Sequence, residues 1–177
     1  MSDRDELLQE IKNKAVVHGD FTLSSGKKAS FYVDLRRVTL DGRAAPLVGR
    51  VMLDLTGDLG YTAVGGLTLG ADPVATSMLH AAAARGQLLD AFVVRKAAKQ
   101  HGMQRRTEGP DISGRRVLIV EDTSTTGGSP LTAVEAAREA GAIVVGVATV
   151  VERSAAAPIA EAGLEYRYAY DLADLGL

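Results

Sequence analysis

Glu121 and Asp122 stand side by side at the end of an apolar run, Val117-Leu118-Ile119-Val120, and lead into Thr123-Ser124-Thr125-Thr126-Gly127-Gly128-Ser129. Two adjacent carboxylates supply acceptors for the vicinal hydroxyls of a sugar, or oxygens for a metal ion. The residues that follow offer backbone N–H groups and small hydroxyls, with no bulky side chain in a ligand's way. A loop of that composition, at the carboxyl end of a strand and the start of a helix, cradles phosphate, because unpaired N–H groups and the helix dipole both favour an anion there. The ligand this segment describes is a phosphorylated ribose. A second group follows another apolar run: Arg95, Lys96, Lys99 and His101 gather four potential cations in a short stretch. From there to Ser113 the chain has few large apolar residues and contains Gly102, Gly109 and Pro110, which predicts a mobile surface loop. Cations on such a loop suit a diphosphate leaving group, whose charge grows as its bond breaks. Each group also has a plain alternative, a strand-to-helix turn for the first and a solvated basic loop for the second.

These side chains need a frame to position them. Val117 to Val120 is apolar throughout rather than alternating, the mark of a strand covered on both faces. Ser129 is a good N-cap and Pro130 a good first helical residue, so a helix is predicted from about Pro130 to its end at Gly141. Apolar spacing predicts further helices over Asp3–Val16, Pro46–Leu59 (ended by Gly60) and Pro73–Arg85, the last behind an Asp72 N-cap. Strands are predicted at Tyr61–Val64, Ala91–Val94, Val117–Val120 and Ile143–Val151, and two short extended segments at Phe21–Leu23 and Phe31–Leu35 flank a Ser-Ser-Gly turn. Strand and helix alternate with short connections, which implies right-handed crossovers and an α/β fold: a parallel sheet with helices on both faces. Gly65 and Gly66, directly after a strand, predict close backbone approach to a ligand. The first forty residues and Tyr166–Leu177 fall outside the repeating pattern.

The whole chain narrows the classes. Its 177 residues are enough for one domain with a sizeable core. Twenty basic and 22 acidic residues leave a formal charge of −2, which gives no support for nucleic acid as a partner. There is no cysteine, so disulfides, thiolate metal sites and cysteine nucleophiles are excluded. The three histidines, His18, His80 and His101, are too scattered for a histidine metal cluster. The charged N-terminus lacks the apolar stretch of a signal peptide, and no apolar run approaches the ~20 residues of a membrane span. A cytoplasmic protein with no membrane partner is the expectation.

The segment from Val117 to Ser129 resembles the phosphoribosyl-diphosphate (PRPP) binding motif of type I phosphoribosyltransferases. It lacks the Gly-Lys-Ser/Thr of a Walker A loop and the glycine spacing of a dinucleotide turn. Arg95-Lys96-x-x-Lys99-x-His101-Gly102 is similar to the catalytic loop of orotate phosphoribosyltransferases. Gly65 to Asp72 lies where that family carries its pyrophosphate loop, with Leu69 and Gly70 in place of a common aromatic and lysine. Phe21–Lys28 and Phe31–Asp34 resemble the family's base-recognition segment, with Ser24 where lysine is usual and Val33 where a second aromatic is usual. The resemblance covers nearly the whole chain, in the family's order.

The resemblance implies a type I phosphoribosyltransferase fold in a single domain, with a core of about 42–153 and a small hood from about 1–41 and 154–177. It implies transfer of the phosphoribosyl group from PRPP to orotate, with Lys99, His101, Glu121 and Asp122 catalytic. PRPP would be held by Leu69, Gly70, Arg95, Lys96, Lys99, His101, Glu121, Asp122, Thr123, Ser124, Thr125, Thr126, Gly127, Gly128 and Ser129. Orotate would meet Thr125, Arg153, Tyr32, Val33 and Lys27 (or its neighbour Lys28). Mg²⁺ is the implied cofactor, held mainly by PRPP and water rather than by direct protein ligands. A homodimer sharing the basic loop across its interface is the implied assembly. Two rivals are a transferase for a purine base, which should lack the basic loop, and a PRPP-sensing regulator that binds nucleic acid.

Overall fold

The N-terminal helix shows how local chemistry sets the element boundaries. In the computed structural model, which describes residues 1–98, 101 and 105–177, α1 (Asp3–Lys14) opens on a capping box. The Ser2 hydroxyl accepts the Asp5 N–H, and the Asp5 carboxylate reaches back to the Ser2 N–H. The helix stops before the predicted Val16 because that residue opens β1 (Val16–Thr22), which pairs antiparallel with β2 (Lys28–Val33). This hairpin forms a sheet of its own, joined by the predicted turn. A short helix, α2 (Arg36–Thr39), then leads to α3 (Ala44–Thr56) and a 3₁₀ turn closed by Gly60 in the left-handed region.

The main sheet has six strands: β3 (Ala63–Leu67), β4 (Asp90–Val94), β5 (Thr107–Glu108), β6 (Arg116–Ser124), β7 (Ile143–Glu152) and β8 (Tyr166–Tyr170). Their order is β5-β4-β3-β6-β7-β8, parallel except for the β4–β5 pair. Helices α4 (Ala71–Ala84), α5 (Gly128–Glu139) and α6 (Ala156–Glu161) make the crossovers. One face of the sheet, through Val64, Leu118, Val120 and Val150, packs on Leu7, Ile11, Val48, Met52, Val74 and Met78 of α1, α3 and α4. The other face, through Phe92, Val117, Ile119 and Val147, packs on Ala133, Val134, Ala137 and Ile159 of α5 and α6. Successive residues of β6 thus enter opposite cores, which is why its sequence is apolar without alternation. Each such side chain is stabilised by about 1.5–3 kcal/mol relative to exposure.

Four expectations change. Gly65 and Gly66 lie within β3 rather than beyond it. A Cβ on Gly66 would stand 2.3 Å from the Val120 carbonyl oxygen, so the glycine serves strand and helix packing, not a ligand. Asp72 is not the N-cap of α4; Gly70 holds that place, and Asp72 sits inside the first turn. Ser129 likewise falls within the first turn of α5, whose N-cap is Gly127 at φ 77°. Finally, the C-terminal segment joins the sheet instead of standing outside the βα pattern, with Tyr166–Tyr170 parallel to β7 at one edge. The six residues of α6 are too few to show helical periodicity in the sequence, and β8 buries only part of its length.

Candidate active site

In a parallel sheet of this winding, ligands bind beyond the carboxyl ends of the strands, where neighbouring crossovers depart in opposite directions. Here that point lies between β3, whose chain continues through α4 to β4, and β6, whose chain continues through α5 to β7. The carboxyl end of β3 carries Thr68-Leu69-Gly70, and that of β6 carries Glu121 to Ser124. They meet in a cavity of about 300 Å³ that also takes in Tyr32 to Arg36 after the hairpin and Lys96 after β4.

Glu121 and Asp122 form its floor. Glu121 is 5% exposed, and its Oε1 accepts the Asp122 N–H at 3.2 Å, while Asp122 Oδ1 accepts the Thr123 N–H at 2.7 Å. Burial, and next the adjacent charge of Asp122, push the Glu121 carboxyl far above the usual carboxylate range. Gly70 packs directly on this pair: a Cβ there would stand 2.1 Å from Glu121 Oε1 and 2.7 Å from Asp122 Oδ1. The Thr68–Leu69 peptide in the same turn is cis. Thr68 donates its hydroxyl to Asp72 Oδ2 at 2.6 Å, so Asp72 ties the turn to the start of α4. The other oxygen, Asp72 Oδ1, is buried without a hydrogen-bond partner among the described residues.

The loop after β6 presents Thr125, Thr126, Gly128 and Ser129 to solvent at the head of α5. Ser124 differs from its neighbours. It is buried, and its Oγ accepts the Gly127 N–H at 3.2 Å, so it shapes the loop from inside instead of facing outward as a phosphate ligand. Gly128 donates to Thr126 Oγ1 at 3.2 Å, a second bond that fixes the turn.

The expected base contacts divide. Tyr32 borders the cavity, is 42% exposed and tilts against Phe21 with ring centroids 6.2 Å apart. Val33 also borders it but is 4% exposed and belongs to the core, so its contribution is apolar wall. Lys27 sits in the exposed hairpin turn, closed by a bond from the Leu23 N–H to its carbonyl, away from the cavity lining. Arg153 lies beyond β7 with its guanidinium 6.0 Å from the Phe31 ring, and its backbone N–H bonds the Ser124 carbonyl at 3.1 Å.

The basic segment divides as well. Lys96 borders the cavity. Arg95 pairs with Glu108 at 3.1 Å, and its N–H bonds the Arg106 carbonyl, which places it at the stem where β5 returns along β4. His101 is exposed and is not among the residues lining the cavity, and Lys99 lies outside the described residues.

Sequence reasoning missed Asp34, Arg36 and Thr68, all of which line the cavity. Arg36 pairs with Asp34 at 3.4 Å and feels Asp122 at longer range, giving the acid floor a nearby cation. The signal available was a charged cluster, Asp34-Leu35-Arg36-Arg37, at the end of an extended segment.

Residues 39–167 match the phosphoribosyl transferase domain family. The orotate phosphoribosyltransferase of Streptomyces avermitilis is 73% identical over 177 residues, covering 98% of this chain and 97% of that protein. Orotate phosphoribosyltransferase of Mycobacterium tuberculosis, solved with Fe(III) dicitrate, superposes with a TM-score of 0.91 at 58% identity, covering 99% of this chain and 100% of that one. The same Mycobacterium tuberculosis enzyme solved with PRPP superposes at 0.87 and 53% identity, covering 99% and 100%. With an acid pair at the switch point, a glycine turn seated on it and a phosphate-type loop beside it, and with matches of this identity and coverage, the chain belongs to the phosphoribosyl transferase family, among its orotate phosphoribosyltransferases.

Proposed function

We propose that the chain transfers the 5-phosphoribosyl group of PRPP to orotate, giving orotidine 5′-monophosphate and pyrophosphate, a step of pyrimidine nucleotide biosynthesis in the cytoplasm. The observation that carries this reading is the contact of the Thr68–Gly70 turn with the Glu121–Asp122 pair, which sets a diphosphate-sized turn against acceptors for ribose hydroxyls. The loop from Thr123 to Ser129 anchors the 5′-phosphate with backbone N–H groups at the head of α5. Glu121 and Asp122 hold the ribose hydroxyls and stabilise positive charge that develops on the sugar as the bond to diphosphate breaks and the bond to the base nitrogen forms. Lys96, with Lys99 and His101 of the same segment, offsets the charge that accumulates on the departing diphosphate. No covalent nucleophile is needed, and alignment with electrostatic stabilisation carries the rate.

Mg²⁺ is the expected cofactor, held mainly by the diphosphate of PRPP and by water, as suits a hard cation that keeps much of its hydration; among the described residues no group of three or more carboxylates or histidines is placed to hold it directly. It would supply charge neutralisation on the diphosphate. A second copy of the chain fits the apolar groove of about 1000 Å³ between α2, α3 and α4. Leu40 and Leu69 line it at 69% and 59% exposure, and Leu69 also borders the active cavity, so a partner seated there would lie beside the site. Among the described residues no helix is long and apolar enough to cross a membrane.

The test is turnover of orotate with PRPP and Mg²⁺, in parallel with adenine, hypoxanthine and uracil. Consumption of orotate alone is the expected result. Consumption of a purine would keep the PRPP site and overturn the base assignment, and binding of PRPP without turnover of any base would bring the regulator forward. Lys99→Ala should lower kcat by about 100-fold while changing PRPP binding little, as expected for a group that acts on charge in the transition state. Unchanged turnover would remove Lys99 from the chemistry.

A further inference from the structure

Glu152, the last residue of β7, is 8% exposed, and it is not among the residues expected to touch substrate. Its carboxylate oxygen Oε1 accepts the backbone N–H of Ser154 and that of Ala155, the latter at 2.6 Å. Between these two bonds the chain makes an unusual turn. Ser154, at φ 127°, is the one non-glycine residue with positive φ among the described residues, a conformation that persists only where surrounding bonds impose it. Arg153 lies inside that turn. Its backbone is held from the other side by its N–H bond to the Ser124 carbonyl at 3.1 Å. The guanidinium is directed toward the hairpin, 6.0 Å from the Phe31 ring, with its Nε buried and unpartnered among the described residues.

The same turn reaches the phosphate loop by a second route. Ala155 precedes α6, and a Cβ on Gly127 would stand 3.3 Å from Pro158 and 3.5 Å from Ile159 of that helix. The Glu152 carboxylate thus fixes the segment that carries the arginine, whereas the N-cap of α5 rests on Pro158 and Ile159 of α6 itself. The other Glu152 oxygen, Oε2, is buried without a hydrogen-bond partner among the described residues, near the Tyr166 hydroxyl, which bonds Thr149 Oγ1 at 2.8 Å.

We infer that Glu152 is a positioning residue for base recognition: by accepting two backbone N–H groups it imposes the Ser154 turn that aims Arg153 at the planar, anionic base. This rests on the assignment of Arg153 to the orotate site. The role belongs to hydrogen-bond acceptance rather than to negative charge, since both partners are neutral backbone donors. A glutamine keeps an oxygen at the same reach, and an alanine does not.

The experiment varies orotate at saturating PRPP and Mg²⁺, and PRPP at saturating orotate, for five full-length proteins: wild type, Glu152→Ala, Glu152→Gln, Glu152→Ala with Ser154→Gly, and Arg153→Ala. Glu152→Ala should raise the KM for orotate by about tenfold or more, with the KM for PRPP and kcat within about threefold of wild type. Glu152→Gln should stay within about threefold for orotate, because the two N–H groups keep an acceptor. Adding Ser154→Gly to the alanine variant should recover most of the orotate affinity, since glycine adopts a positive φ without help. Equal losses in the alanine and glutamine variants, an equal rise in both KM values, or no rescue by glycine would each overturn the inference. Arg153→Ala separates the two layers. If it leaves the KM for orotate unchanged while Glu152→Ala raises it, the assignment of Arg153 fails and the positioning role through it falls with that assignment. If Arg153→Ala raises the KM for orotate and Glu152→Ala does not, only the positioning role fails.

Discussion

Glu121→Gln should lower kcat by about 100-fold and, at the same time, make the fold more resistant to urea above neutral pH. The two effects have one cause. Burial and the neighbouring Asp122 charge raise the Glu121 carboxyl to about 9, so in the free protein it holds a proton that an unfolded chain releases near 4.5. Between those values the folded state binds more protons than the unfolded state, and stability therefore falls as pH rises through the window. Below it the carboxyl is neutral in both states and costs nothing. Glutamine has no proton to lose, so the variant should lie close to wild type at pH 5 and exceed it by a margin that grows with pH, on the order of 4 kcal/mol by pH 8, since each tenfold difference in proton affinity between the two states is worth about 1.4 kcal/mol. Urea unfolding of both proteins at pH 5, 6, 7 and 8 measures this. A stability difference that does not change with pH would show that Glu121 is not held neutral. The loss of activity follows because an amide cannot release a proton: it offers the ribose hydroxyls a weaker acceptor, and it cannot take on the negative charge that Glu121 gains only when substrate binding draws its proton away. A residue that weakens its own fold at working pH is one whose function is kept at a cost in stability.

Gly70→Ala should reduce kcat/KM by about 100-fold, close to 2.7 kcal/mol of transition-state stabilisation, while leaving the urea midpoint almost unchanged. The added methyl would stand 2.1 Å from Glu121 Oε1 and 2.7 Å from Asp122 Oδ1, distances that no carbon tolerates beside oxygen. Either the carboxylates rotate away or the Thr68–Gly70 turn lifts from the floor, and both break the register between the diphosphate and ribose halves of the site. Stability is spared because the displaced atoms border the cavity and not the apolar core. Steady-state kinetics with urea unfolding on the same samples checks both halves, and wild-type kcat/KM in the alanine variant would refute the contact.

Much of this was legible in the sequence because it depends on local physics. A strand covered on both faces has to be apolar throughout, so β6 could be read from Val117 to Val120, and the acids and small residues after it stood out as chemistry at a strand end. The end of α5 followed from Gly141, and Gly60 closes the 3₁₀ turn that follows α3; both take left-handed backbone without strain. The family followed from motifs in order, and the matches to known relatives bear it out. Other features depend on which elements become neighbours, and one-dimensional spacing carries little of that. That β6 enters between β3 and β7, and so brings Gly70 onto Glu121, is decided by the winding of the sheet. That β8 is an edge strand is decided by the exposed edge of β7, not by its own tyrosines, whose exposure runs from buried Tyr170 to exposed Tyr168. Arg36 and Thr68 enter the site only because the hairpin and the β3 turn converge there. Ser124 was expected to meet phosphate and Glu152 to meet no ligand, yet one oxygen of each turns inward to backbone N–H groups, because buried donors at the strand ends must be satisfied before any ligand arrives. Residue order singles out the acid pair, the small-residue loop and the basic segment as candidates for the chemistry. Which of them face the cavity, and which hold the others in place, is settled by long-range packing that no local pattern encodes.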